Sequence, residues 1–162
     1  RKDALGLLAH TETEERYTKR RSETLALIQI ALGGMVAEEL FFGESGTGPA
    51  GDLATATNIA VEMVGSLGLG DSLISFRAVD HGVVGGNLAA AVLADEHARA
   101  AVDSLLTEQK QVVASLLQDN LHLIEALRDE LLENDELVES EILEVLEAAR
   151  SRDGATLDLT KV

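Results

Sequence analysis

The chain has 162 residues, of which 46% are hydrophobic, and it carries a formal net charge of −16. This size suits one compact domain with a real core, and the balance of 29 acidic against 13 basic residues argues against a nucleic-acid surface, which needs clustered Lys and Arg. The absence of cysteine excludes disulfides and thiolate metal sites, so any metal here must be held by His, Asp or Glu.

The acidic charge is concentrated towards the C-terminus, with +2 over residues 1–21, −7 over residues 22–94 and −11 over residues 95–162. Such a surface is typical of a solvated face and identifies no partner. We find no apolar stretch of about 18 residues and no signal sequence, so we expect no membrane segment in this chain. Because it begins with Arg1 rather than Met and opens into a strand-like apolar run, we expect it to come from a longer polypeptide.

The first predicted elements are a short strand over residues 2–9, a polar connection, and a helix that begins near Ser22 as N-cap and ends at Gly43. Apolar residues recur along this helix at steps of three and four. Gly33 and Gly34 lie in its interior, where each costs about 1 kcal/mol relative to alanine. Close approach of another element, such as a catalytic helix outside this chain, would explain them; a locally weakened helix is the alternative.

A glycine-rich loop over residues 43–51 ends at Asp52, and a second helix follows until Gly68 and Gly70. Residues 68–94 are glycine-rich, with a possible strand at residues 73–76 and a flexible stretch at residues 79–87.

Further helices are predicted over residues 95–117, from Leu121 behind Asn120, and as a short third helix around residues 142–146. Residues 1–152 therefore form one domain and residues 153–162 a tail. The predicted fold class is all-α, or mainly α, a helical bundle with at most a short N-terminal strand.

The histidines do not form a metal motif. A His-Glu-x-x-His helix places two imidazoles on one face because residues four apart lie one turn apart. No such pair occurs in this sequence, and each histidine is interpreted as a surface or capping residue rather than a ligand: His10, His81, His97 and His122. No nucleophilic triad is indicated either.

Asp52 has two interpretations. As a helix N-cap it would accept backbone N–H groups and suit the positive end of the helix dipole. The alternative comes from a resemblance to the FtsH-type ATP-dependent zinc proteases, whose Leu-Gly-Gly-x-x-Ala-Glu-Glu helix is followed by Phe-Gly and by Thr-Gly-x-x-x-Asp-Leu-x-x-Ala-Thr. The matching residues are Leu32, Gly33, Gly34, Ala37, Glu38, Glu39, Phe42, Gly43, Thr47, Gly48, Asp52, Leu53, Ala56 and Thr57.

The resemblance extends over about residues 4–147, with departures at Met35 (usually Arg) and Gly51 (usually Asn), and in a short segment at residues 79–93. It implies that Asp52 is the third zinc ligand. Glu38 and Glu39 are possible groups that hydrogen-bond to the zinc ligands and orient them. The alternative is that they are solvated or packed helix residues.

The resemblance further implies a zinc endopeptidase that degrades proteins, with ATP bound on a separate upstream domain, a homo-hexameric assembly, and a soluble domain on the cytoplasmic side. It also allows the parent protein to be anchored in the inner or plasma membrane. It implies that this segment supplies the third ligand and the helical scaffold but not the catalytic helix, so we expect the isolated chain to be inactive. A noncatalytic helical module for oligomerisation or docking, degenerate from that family, is the alternative, and an unrelated acidic bundle ranks last.

Overall fold

A computed structural model describes residues 18–79 and 87–153. The described residues form six α-helices and one 3-10 helix, with no β-strand among them, which confirms the predicted all-α class. The helices are α1 (Arg21–Phe42), α2 (Ala50–Gly65), α3 (Leu88–Ala94), α4 (Glu96–Asp119), α5 (Leu121–Asn134) and α6 (Glu139–Asp153), and the 3-10 helix is Phe76–Val79.

The core is formed by α1, α2 and α4, with α3 covering one end of α2. Each helix contributes one apolar face. Its apolar residues recur at steps of three and four, so their side chains from successive turns lie on the same side. The buried cluster is Ile28, Leu32, Ala56, Ala60, Val61, Met63, Val64, Val92, Ala98, Val102 and Leu105. Small residues on α2 allow its neighbours to approach closely, so α2 is the most enclosed helix of the bundle.

The ends of α1 follow from local hydrogen bonding. The helix begins one residue before Ser22, with Arg20 as N-cap, and the backbone N–H of Arg20 donates to Glu23 Oε2 at 2.7 Å. Gly43 ends the helix as predicted, with φ of 78° and its N–H donating to the carbonyl of Glu39 at 2.9 Å. A positive φ at this position favours glycine, which has no Cβ to clash.

The helix α1 is long and apolar enough to cross a membrane by length and composition alone, because one 18-residue window has a mean hydropathy of 1.7. Our expectation of no apolar stretch of that length therefore missed this window. In the structure α1 packs against α2 and α4, and 17% of this window is buried.

The close packing predicted at Gly33 and Gly34 is not found among the described residues. A Cβ built on either glycine would meet no described atom of another element within 4 Å. Close approach between described elements occurs at Gly65, the last residue of α2, where an added Cβ would clash with Cγ2 of Val92 in α3.

The strand predicted at residues 73–76 is wrong, because residues 72–75 have no regular structure and Phe76 begins the 3-10 helix. No helix is predicted from the sequence at the position of α3. Its N-cap is Asn87, whose side chain accepts from the N–H of Ala90 at 3.1 Å. The predicted strand at residues 2–9 lies outside the described residues, as do the tail beyond Asp153 and most of the predicted flexible stretch.

The helices α5 and α6 form an antiparallel hairpin that packs mainly on itself. Their positions agree with the prediction, although α6 is longer than the short helix expected there. The hairpin reaches the core through the α4–α5 junction and through Arg128, whose guanidinium lies 5.0 Å from the centre of the Phe41 ring at the end of α1.

Candidate metal centre

The loop between α1 and α2 is held at both ends and in its middle. Gly43 turns the chain out of α1, and Pro49, which is buried, precedes the first residue of α2. Between them, Glu38 Oε2 accepts the backbone N–H of Gly46 at 2.6 Å. The loop that leads to Asp52 is therefore attached to the last turns of α1 by a side chain.

Asp52 is the third residue of α2 and is exposed to solvent. The N-cap position belongs to Pro49, which offers no side-chain hydrogen bond, so the interpretation of Asp52 as an N-cap is wrong by three residues. Its carboxylate still lies in the first turn, where negative charge is stabilised by the helix dipole. The position at a helix start is confirmed, and its role as a metal ligand stays a prediction.

The chemistry of the Asp52 side chain fits one position of a zinc site. Carboxylate oxygen is an ordinary zinc ligand, and no described residue donates a hydrogen bond to this carboxylate. Among the described residues, no three His, Asp or Glu side chains lie together in a way that could hold a metal ion. This part of the chain therefore supplies a single candidate ligand rather than a complete site.

The histidines do not complete the set within the described ranges. His97 lies in the first turn of α4 and is exposed, and His122 lies in the first turn of α5. His10 and His81 lie outside the described residues. Among the described residues, no group of three His, Asp or Glu side chains that includes Asp52 and a histidine could hold a metal ion.

Glu38 and Glu39 have different partners in spite of being adjacent. Glu38 binds the loop, whereas Glu39 Oε1 accepts from Lys110 Nζ of α4 at 2.7 Å. A sequence signal for these contacts exists, because both carboxylates lie near the C-terminus of α1, where the helix dipole disfavours negative charge, and the last turn of α1 contains no basic residue. Sequence analysis left both residues without a definite role.

A concave region lies along α4 and is separate from the candidate metal centre at Asp52. It is an open groove of about 550 Å³, and its described lining is Ala100, Asp103, Ser104, Thr107, Glu108 and Gln111. Asp52 is absent from this lining. The groove offers two carboxylates from one helix face, which are too few for a protein zinc site.

The sequence of the chain matches one known protein family over most of its length. The model of the family described as Peptidase family M41 matches residues 1–145. The chain belongs to peptidase family M41. This result confirms the resemblance seen in the glycine and acidic motifs around Asp52, and the M41 match covers all the described helices except the end of α6.

Similar proteins in the curated set carry the name ATP-dependent zinc metalloprotease FtsH. The chain is 51% identical over 70 residues to that of Pelodictyon phaeoclathratiforme, a match that covers 43% of this chain and 11% of the relative. It is 34% identical over 131 residues to that of Methylibium petroleiphilum and 37% identical over 128 residues to that of Veillonella parvula, each covering 75% of this chain. The chain spans only about a tenth to a fifth of the length of these relatives.

Proposed function

We propose that this chain is the C-terminal part of the zinc endopeptidase domain of an FtsH-type ATP-dependent protease, in which Asp52 supplies one of three protein ligands to zinc. The observation that carries the proposal is the M41 match over residues 1–145. The position of Asp52 supports it, because an exposed carboxylate at the start of α2 is open to a ligand from outside the described helices.

The role of the chain in this chemistry is structural support and one donor atom. A bound zinc ion would supply a Lewis acid that polarises a peptide carbonyl and activates water. The residues of this chain would hold that ion from one side through the Asp52 carboxylate, while α1, α2 and α4 keep α2 in place. Two histidines and a glutamate general base would come from elsewhere in the full-length protein.

The wider properties of the full-length protein are part of the same proposal. We expect protein substrates, an ATPase domain upstream in sequence, a homo-hexamer, and a protease domain on the cytoplasmic side of a membrane in which the full-length protein is anchored. The names of the relatives, which include ATP dependence, zinc and proteolysis, support the first two of these expectations.

The direct test is zinc affinity in the full-length protein, measured by competition with a chelator. Asp52→Asn is expected to lower zinc affinity strongly and to abolish peptide hydrolysis, because it replaces a charged ligand by a neutral one. Asp103→Asn is the matched control, since it removes the same charge from an exposed position on α4 and is expected to change neither property.

The noncatalytic alternative gives the opposite result. If Asp52 serves only the helix dipole, Asp52→Asn lowers the free energy of unfolding by about 0.3–1 kcal/mol and leaves zinc affinity unchanged. The isolated 162-residue chain adds a further check, because with one donor we expect it neither to bind zinc tightly nor to hydrolyse peptides. Peptidase activity that tracks one zinc ion per purified chain would contradict the assignment.

A further inference from the structure

The carboxylate of Glu38 is directed at the loop that precedes Asp52. Its Oε2 accepts the N–H of Gly46 at 2.6 Å, a short distance typical of a charge-assisted hydrogen bond. Its Oε1 lies 3.6 Å from the position that a Cβ on Gly48 would occupy. Both oxygens of Glu38 therefore face the backbone in the middle of the loop.

The loop needs such an attachment more than most loops do. It contains two glycines between Gly43 and Pro49, and glycine loses more conformational freedom on folding than any other residue. Neither Gly46 nor Gly48 has a positive φ, so the backbone conformation does not require glycine at either position. Without a partner in α1, the six residues from Glu44 to Pro49 would sample many conformations.

The position of Glu38 near the C-terminus of α1 indicates that its carboxylate has a specific role in holding the loop. A carboxylate near a helix C-terminus meets the negative end of the dipole, and α1 has no basic residue in its last turn. Its neighbour Glu39 is offset by Lys110 of α4. The carboxylate of Glu38 accepts from the loop amide of Gly46, so its charge stabilises the loop rather than the helix that carries it.

We propose that Glu38 is a positioning residue that fixes the loop before α2 and, through it, the place of Asp52, so that zinc affinity depends on Glu38 although Glu38 does not touch the metal. This inference rests on the proposed role of Asp52 as a ligand. It separates two adjacent glutamates by function, since Glu39 joins α1 to α4 and Glu38 joins α1 to the loop.

The first experiment tests the attachment itself in the 162-residue chain, by NMR measurement of amide hydrogen exchange at Gly46. Glu38→Ala is expected to speed this exchange by about tenfold or more, because a hydrogen bond to a charged group is lost. Glu38→Gln, which keeps an acceptor oxygen but no charge, is expected to lie between Glu38→Ala and the native chain. Glu39→Ala is the matched control and is expected to leave Gly46 unchanged.

The second experiment tests the consequence for the metal, by chelator competition for zinc in the full-length protein. Glu38→Ala is expected to weaken zinc binding by about 10–100-fold, the range seen when a group that supports a ligand is removed. Glu38→Gln is expected to recover part of this loss, and Glu39→Ala is expected to leave zinc affinity within about threefold of the native value. Circular dichroism melting of each variant shows whether it is folded.

The outcomes separate the two proposals. Native exchange at Gly46 in Glu38→Ala overturns the attachment. Native zinc affinity in Glu38→Ala, together with lost affinity in Asp52→Asn, overturns the positioning role alone. Native zinc affinity in Asp52→Asn overturns the proposed ligand, and with it the link between Glu38 and the metal, whatever the exchange data show.

Discussion

At the scale of single residues, Gly65 is the described glycine with the least room for a side chain, because Val92 lies against it. Val92 is fully buried, and its Cγ2 occupies the place that a side chain on Gly65 would need. Valine is stiff about χ1 and cannot turn aside easily. The contact therefore fixes how closely α3 approaches the end of α2.

We predict that Gly65→Ala lowers the free energy of unfolding by about 1–3 kcal/mol, because the new Cβ overpacks the α2–α3 contact. Chemical denaturation of the two chains measures this difference. In the double variant with Val92→Ala the clash is relieved, so the combined loss is expected to be smaller than the sum of the single losses by about 0.5 kcal/mol or more.

Gly34→Ala is the matched control for Gly65→Ala, since Gly34 lies inside α1 with no described atom of another element within 4 Å of a built Cβ. It is expected to raise stability by about 0.5–1 kcal/mol, the ordinary gain in a helix interior. A loss at Gly34 as large as that at Gly65 would contradict the packing described here.

These residues also show which parts of the site could be predicted. The place of Asp52 at a helix start follows from the glycines and the proline before it and the apolar period after it. Its exact position does not, because Asp is favoured at N-caps and Pro49 occupies that position instead. The contact of Glu38 with Gly46 depends on how the chain turns after Gly43, which no local pattern specifies.

At the scale of elements, the long helices were predictable and their packing was not. The apolar periods of α1, α2 and α4 span several turns, whereas α3 has seven residues in a glycine-rich region and is defined by its Asn87 cap. Close packing at Gly33 and Gly34 by an element such as a catalytic helix outside this chain stays a prediction. Close packing between described elements occurs at Gly65, since only the three-dimensional arrangement brings α3 against the end of α2.

The contact between α1 and α4 includes a polar pair of glutamines in addition to the Lys110–Glu39 ion pair. Gln29 Nε2 donates to Gln109 Oε1 at 2.7 Å, and Gln109 is 3% exposed. A single substitution, Gln109→Leu, is expected to lower the free energy of unfolding by about 1–3 kcal/mol, because it leaves the half-buried amide of Gln29 without this acceptor.

A double-mutant cycle distinguishes the loss of the hydrogen bond from a loss of side-chain packing. With Gln29→Leu and Gln109→Leu together, no amide is left without its partner, so the loss is expected to be smaller than the sum of the single losses by about 0.5–3 kcal/mol. Strictly additive losses in denaturant unfolding would show that the pair contributes through packing alone.

The α5–α6 hairpin is expected to open at lower free energy than the core helices, because its apolar contacts are mostly internal. Native-state hydrogen exchange measures the opening free energies helix by helix. Arg128→Ala is expected to lower those of α5 and α6 by about 0.5–1 kcal/mol through loss of the contact with the Phe41 ring, without a change in α2.

Arg152→Ala is the control for that variant, since it removes one positive charge from the exposed last turn of α6. It is expected to leave the protection of α5 unchanged. Opening free energies in the hairpin equal to those of α1, α2 and α4 would show instead that the described chain unfolds as one unit.

At the scale of the whole molecule, the dominant feature is the excess of 29 acidic over 13 basic residues. Two ion pairs between elements, Arg77 with Glu62 and Lys110 with Glu39, are more than a third exposed on each side chain. Exposed pairs contribute little to stability. Repulsion among the excess carboxylates therefore acts against the compact state, most strongly in the C-terminal part.

We predict that the midpoint of thermal unfolding rises by about 2–5 °C between 10 and 150 mM NaCl, because the screening length falls from about 30 Å to about 8 Å and weakens this repulsion. Calorimetry of the native chain measures the shift.

The matched variant is Glu133→Gln, Glu144→Gln and Glu147→Gln together, at three exposed positions of the hairpin. It carries three fewer negative charges, so its midpoint at 10 mM NaCl is expected to be higher and its response to salt smaller. A midpoint that falls with added salt, or an equal salt response in the variant, would show that attraction between charges outweighs repulsion in the folded chain.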